Sequence, residues 1–392
     1  MPTLSFWQSD LRDADGFCDV AVVGGGVVGA SAAFWMHRLR PTLRIALLDA
    51  GLLASGATGR NAGFLLQGVT SDYATDVARY GPDRARRLWA FTRESRDLLL
   101  AHVHPERFGF EASGSLTLAA APEEDDRLRH AAHLLRGDGV EAAYVPAREV
   151  VRRTFGTGFY GGLHVPSGGM LDPVRLVRAL AEQSTAAILE QQPVLSIEAR
   201  PNGFLLETPR RRIRTAALLV AANAYAPRRV PSLAPYVRPV RAQMLATAPM
   251  RPRWLSTPVY SHDGHYYLRQ LPEGNLLLGG ARHLHAGAEV GYDDAATEAV
   301  QRGLHAYLAT HFPQAEGLAV QRRWSGTMGF SPDGLPSVGP IPGLPGAFFA
   351  AGFTGHGLAY AFCVGRMLAE FAHGLADPDD ADLFDPARLR PG

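Results

Sequence analysis

Short apolar runs alternate with amphipathic stretches along most of the chain, and their spacing sets the expected elements. The first run, Cys18 to Val23, is short and rich in β-branched residues, which suits a strand buried on both faces of a parallel sheet. Ala30 to Leu39 then reads as a helix ended by Pro41, and Arg44 to Leu48 as the next strand. Apolar positions at helical spacing from Asp83 to Val103, among them Leu88, Phe91 and Leu98, predict a long helix, and Glu123 to Gly137 predicts a charged one. Asp172 before Pro173 is a helix start, an acid at the N-cap with proline in the first helical position. Strands are expected at Ser115 to Ala119, Pro193 to Ala199, Gly203 to Thr208 and Ala216 to Ala221. Pro227 to Pro258 is dense in proline, after which strands dominate at Thr257 to Ser261, His265 to Gln270 and Asn275 to Gly279, closed by a helix over Thr297 to Phe312. Glycine-rich loops, a strand at Ala347 to Ala351 and a helix from Gly357 to Ala372 finish the pattern. This order predicts an α/β nucleotide-binding sheet interrupted by a second, mostly antiparallel sheet.

Composition narrows the classes. At 392 residues the chain has room for two domains or more, and 46% hydrophobic with 20% charged residues is globular. A net charge of +1 makes no electrostatic case for nucleic acid or a membrane surface. All 39 basic residues are arginine, so a lysine Schiff base or a P-loop is excluded. The two cysteines, Cys18 and Cys363, sit in apolar runs and read as buried, inert thiols. The amino terminus carries acids where a secretory leader needs a basic start, and no apolar run is long enough to span a membrane, so a cytoplasmic location is expected. His262, His265, His283 and His285 lack neighbouring cysteines, and no metal site is expected there.

The candidate chemistry begins at the end of the first strand. Gly24, Gly26 and Gly29 have G-x-G-x-x-G spacing, where the backbone must turn sharply and let a pyrophosphate approach a helix N-terminus. Asp49 ends the second strand at the position of the carboxylate that accepts ribose hydroxyls. Both NAD and FAD satisfy these residues. The loop Gly51 to Gly68 is too glycine-rich for a helix and too apolar for a linker, which suggests backbone packed on a flat or phosphorylated ligand.

Three stretches go further: SGATGRNAGF from Ser55, RRWSGTMGFSPDGLPSVGPI from Arg322 and FFAAGFTGHGLAYAFCVGRMLAE from Phe348. With GMLDP and VAANAYAP they resemble the D-amino-acid oxidase superfamily of FAD-dependent oxidoreductases, nearest its glycine oxidase, sarcosine oxidase and γ-glutamylputrescine oxidoreductase branch. The resemblance implies a discontinuous Rossmann-like FAD-binding domain over 1–82, 146–226 and 322–392. It also implies an inserted, mostly antiparallel α+β substrate domain over 83–145 and 227–321. By the same motifs, FAD would meet Gly24, Gly26, Gly29, Asp49, Ser55, Gly56, Arg60, Asn61, Gly63, Val194, Gly352, Thr354, Gly355 and Gly357, while Asp333 reads as a turn residue. FAD is expected to be held non-covalently, because Asn61 stands where relatives carry a flavin-linked histidine and Trp324 to Ser331 holds no cysteine.

What the resemblance implies for activity is oxidation of a small amine or amino acid, by hydride transfer to flavin N5 and hydrolysis of the imine. Tyr266 or Tyr267, Arg269, Arg282 and His356 are the substrate-side candidates, with Tyr267, Arg282 and His356 taken as catalytic; Arg269 also fits a solvated strand position. The electron acceptor could be oxygen, a quinone or a partner protein. Relatives place a lysine near the flavin for reaction with oxygen, and Leu277 stands at the apparent position, which predicts a slow reaction. The other reading is a flavin-binding electron-transfer subunit of a hetero-oligomeric dehydrogenase.

Overall fold

Gly16–Val23 carries the apolar run that opens the chain, and it becomes the middle of a sheet covered on both faces. The structure, a computed structural model, describes residues 15–375 and 380–389, so the amino-terminal segment read for a leader lies outside the described residues. Around Gly16–Val23 five parallel strands run in the order Ala187–Leu189, Ile45–Leu48, Gly16–Val23, Arg212–Val220 and Ala347–Ala351. The hairpin of Ser196–Arg200 and Gly203–Glu207 and the strand Ser337–Pro340 complete the sheet with antiparallel partners. The helices Val27–Leu39, Pro173–Gln183 and Gly357–Ala372 share one core with this sheet. That core is closed by Phe34 against Phe362, ring centroids 5.4 Å apart, and by Trp35 Nε1 donating to the Phe362 carbonyl at 3.0 Å.

A second sheet of eight strands stands beside the first, in the order Val320–Phe330, Arg238–Thr247, Leu276–Gly280, Tyr266–Gln270, Val259–Ser261, Ser115–Ala119, Gly161–Val165 and Ala143–Pro146. Every pairing is antiparallel except that of Val259–Ser261 with Ser115–Ala119. Helix Glu298–His311 buries Val300, Leu304 and Leu308 in the same core as Leu268, Leu276 and Leu278 of this sheet. A small three-stranded sheet, Phe64–Leu65, Gly169–Met170 and Glu111–Ala112, lies between.

These pairings redraw the boundaries expected from the sequence. Gly161–Val165, and Val320–Phe330 from Arg322 onward, fall in the segments expected of the nucleotide-binding unit, and both are strands of the second sheet. Gly161–Val165 pairs along Ser115–Ala119, and Val320–Phe330 along the whole of Arg238–Thr247. Conversely, the helix Pro82–His102, assigned to the insertion, buries Leu88, Phe91 and Leu99 in the core of the first unit, where Phe91 meets Phe384 at 4.8 Å. Among the described residues no helix is long and apolar enough to cross a membrane.

Candidate functional site

A single cavity of about 1040 Å³ runs from the end of Ile45–Leu48, past the turn at Gly24, to the face of the second sheet. Its first half is built from backbone. The helix Val27–Leu39 begins at Gly26, which has no side chain to cap it, and Val27 N donates instead to Thr58 Oγ1 at 3.1 Å. Gly24, Gly26, Val27 and Val28 line the cavity, so the helix N-terminus and its dipole face into it. Gly24 lies at φ +114°, and a Cβ there would stand 2.6 Å from the Ala221 carbonyl oxygen, so no other residue keeps the turn this tight. Asp49 lines the same wall, its two oxygens accepting from Gly25 N at 2.7 Å and Gly51 N at 2.8 Å. Burial raises its pKa, and the two N–H groups oppose that rise.

Across the cavity, Gly357–Ala372 presents a second helix N-terminus without a side-chain cap, lined by Thr354, Gly355, His356 and Gly357. This turn is pinned by Thr354 N donating to Gly329 O at 2.8 Å and Gly352 N donating to Asn223 Oδ1 at 3.0 Å. Two helix N-termini facing one elongated cavity fit a cofactor that is anionic in its middle and electron-accepting at its far end.

Of the residues expected to meet the cofactor, Gly24, Gly26, Asp49, Ser55, Gly56, Arg60, Asn61, Val194, Thr354, Gly355 and Gly357 line this cavity. Gly29, Gly63 and Gly352 do not. A Cβ on Gly29 would stand 1.9 Å from Gly24 O, one on Gly63 2.2 Å from Leu171 O, and one on Gly352 2.9 Å from the Ser331 Cβ, so these three are required by close packing. Arg60 and Asn61 line the wall with side chains already committed to the loop. Arg60 donates to Ser55 O and Ser325 O and pairs with Asp294, while Asn61 Oδ1 accepts from Gly63 N at 2.6 Å. Asp333 is a strut, accepting from Leu335 N at 3.1 Å and pairing with Arg388 at 2.8 Å.

The second half of the cavity is aromatic. Tyr260 and Tyr267 are in register across their strands and lie with Phe64 at the wall, Phe64 edge-on to Tyr260 at 5.2 Å. Burial lifts the Tyr267 pKa to about 12 and raises that of Tyr260 as well, so both phenols keep their protons. Tyr260 went unmarked in the sequence, although the period-2 alternation back from Tyr267 across the His262-Asp263-Gly264 turn points to it. Tyr266 faces the other way and stacks on Tyr307 at 4.1 Å.

Arg282 lines the cavity with its guanidinium 5.0 Å from the Phe330 ring centre and makes no ion pair among the described residues; burial lowers its pKa. Arg269, expected at the site or in solvent, does neither. It is 4% exposed, and Nη1 donates to the carbonyls of Ala62, Gly63 and Leu171 at 3.0, 3.3 and 2.9 Å.

His356 stands at the start of the second helix. Burial depresses its pKa to about 4 against the opposing pull of a hydrogen bond to the Leu66 backbone. Its Nε2 is buried with no hydrogen-bond partner among the described residues, and the depressed pKa leaves the ring neutral. Among the described residues, no three His, Cys, Asp or Glu side chains gather as metal ligands, and His262, His265 and His283 pack in an aromatic cluster with Tyr266.

Comparison with known proteins gives one answer. The family model of the FAD dependent oxidoreductases called DAO matches residues 19–371. The glycine oxidase of Geobacillus kaustophilus is 30% identical, over 94% of this chain and 97% of its own. The γ-glutamylputrescine oxidoreductase of Escherichia coli is 26% identical, over 96% of this chain and 88% of its own. The crystal structure of the Geobacillus kaustophilus glycine oxidase superposes with a TM-score of 0.83 at 24% identity, covering 96% of this chain and all (100%) of that one.

Proposed function

The chain belongs to the DAO family of FAD dependent oxidoreductases, and on that premise we propose that it oxidises the C–N bond of a small amine or amino acid. The observation that carries this reading is the continuity of the cavity, which joins the dinucleotide groove to an enclosure walled by Tyr260, Tyr267, Arg282 and His356. Bound FAD would supply the redox chemistry, accepting hydride from the C–H beside the substrate nitrogen and leaving an imine that water hydrolyses.

The protein contributes position and charge. Gly355 and Gly357 bring the helix N-terminus and its dipole toward the place where negative charge develops. His356, neutral at physiological pH, lines the wall beside the N-terminus of the second helix. Arg282 supplies a cation with no ion pair among the described residues, whose planar fork suits a carboxylate. Phe64, Leu66 and the two tyrosines keep the reacting carbon in a dry, apolar enclosure.

The test is spectroscopic. The purified protein should show a flavin band near ~450 nm, as expected for a family cofactor of this kind. Acid precipitation should release all of the colour, and anaerobic addition of amines and amino acids in turn should bleach the band with at least one of them. A band that no member of the panel bleaches would favour the electron-transfer subunit instead.

The apolar cluster behind that wall bears on the electron acceptor. Leu277, read from the sequence at the place of the relatives' lysine, packs against the cluster of Phe64, Leu66 and Met244. Photoreduced protein should therefore reoxidise in air-saturated buffer roughly 10-fold or more slowly than with a quinone or dye, the size of effect that loss of one fixed charge produces. Stopped-flow traces of equal speed with both acceptors would overturn this.

A further inference from the structure

Asn223 follows the strand Arg212–Val220 and holds a left-handed backbone, φ +46°. Its side chain is locked. Oδ1 accepts from Gly352 N at 3.0 Å, and the amide fills the space left by Gly329, where a Cβ would fall 2.2 Å from Oδ1. Because a backbone N–H can only donate, that bond fixes which end of the amide is oxygen. Nδ2 is left as a donor of two hydrogens with no protein acceptor among the described residues, on a residue that lines the cavity. Its place there is specific: Ala221 and Ala222 before it back the Gly24 turn, while Gly352 ahead of it opens the turn that carries Thr354 and His356.

We infer that Asn223 is a cofactor-holding residue, whose Nδ2 donates to the polar linker of FAD between its phosphates and its ring while Oδ1 anchors the ring-binding turn. The inference rests on the family's cofactor and is independent of the substrate reading. A competing account is that asparagine is present only because it tolerates positive φ better than most residues.

Two substitutions separate these accounts. Asn223→Gly keeps the left-handed backbone and removes the amide. Asn223→Asp keeps an acceptor for Gly352 N but replaces the donor with an anion. Full-length holoprotein of each is diluted, and released FAD is read by its fluorescence. Both variants should release FAD at a dissociation constant on the order of 10-fold higher than the parent, the value of one hydrogen bond to a polar ligand. Thermal unfolding of the flavin-free proteins should change little for Asn223→Asp. If Asn223→Gly retains FAD like the parent, the residue serves its backbone alone and the inference falls. If Asn223→Asp retains FAD like the parent, only the anchor to Gly352 matters and the donor role falls; this arm decides the matter even where Asn223→Gly does not fold.

Discussion

Replacing Gly29 by alanine should give a protein that purifies colourless and unfolds at markedly lower temperature. The added methyl would lie 1.9 Å from Gly24 O and 3.1 Å from Gly24 C, both main-chain atoms, so no side-chain rotation relieves the overlap. The helix Val27–Leu39 would have to lift from the turn that precedes it, which costs about 3 kcal/mol as overpacking and widens the cavity at the Gly24 turn. Gly137→Ala is the matched control: its Cβ meets nothing within 4 Å at the exposed end of the helix Pro122–Gly137. That change should be neutral or stabilise by up to about 1 kcal/mol. Flavin content by absorbance and melting by circular dichroism read both, and a yellow Gly29→Ala protein of parental stability would remove the close-approach argument.

Arg269→Ala should cost about 3 to 5 kcal/mol, the range for breaking a buried charged network from one side. Its Nη1 holds Ala62 O, Gly63 O and Leu171 O together, and so ties the loop carrying Arg60 and Asn61 to the strand before helix Pro173–Gln183. Burial brings its pKa down to about 10, which still leaves it charged at neutral pH. Without it Ala62 O loses its partner, and the loop under the cofactor loosens. Arg269→Lys should fall between, since an ammonium keeps the charge but not the planar reach. Urea unfolding decides the size, and a loss below 1 kcal/mol would mean that water replaces the guanidinium at little cost.

Arg269 also shows where sequence reasoning stopped. Alternation along Tyr266–Gln270 identifies the face a residue takes but not what lies opposite it, and the carbonyls that hold Arg269 come from about 100 and 200 positions away in the chain. The elements with strong local signals were legible: Ser115–Ala119, Ala347–Ala351 and Gly357–Ala372 form at the expected residues, and Asp172 caps its helix by accepting from Val174 N and Arg175 N. Val320–Phe330 was hidden because Gly326 and Gly329 weaken its strand character. Those glycines are there for remote neighbours, the Arg60 stem at 3.0 Å and the Asn223 amide at 2.2 Å from where a Cβ would sit. Arg238–Thr247 was hidden in a proline-rich stretch, with Pro239 near its start. At the site, glycine spacing and the acid after the second strand singled out Gly24, Gly26 and Asp49, which line the cavity, whereas Tyr260 and Asn223 depend on strand register and long-range contacts.

The bond from Trp35 Nε1 to Phe362 O joins residues 327 positions apart, and it sets a timetable for the molecule's birth. Gly16–Val23 is the middle of its sheet, yet its partner Arg212–Val220, and that strand's own partner Ala347–Ala351, are translated much later. The helix that covers the sheet, Gly357–Ala372, is translated later still. Domains that fold as their amino-terminal parts appear are built from near neighbours in the chain, and this one is not. The nascent polypeptide must therefore carry an open, apolar half-sheet until those later segments appear, and the cavity gains its opposite wall only after Gly357–Ala372 leaves the tunnel.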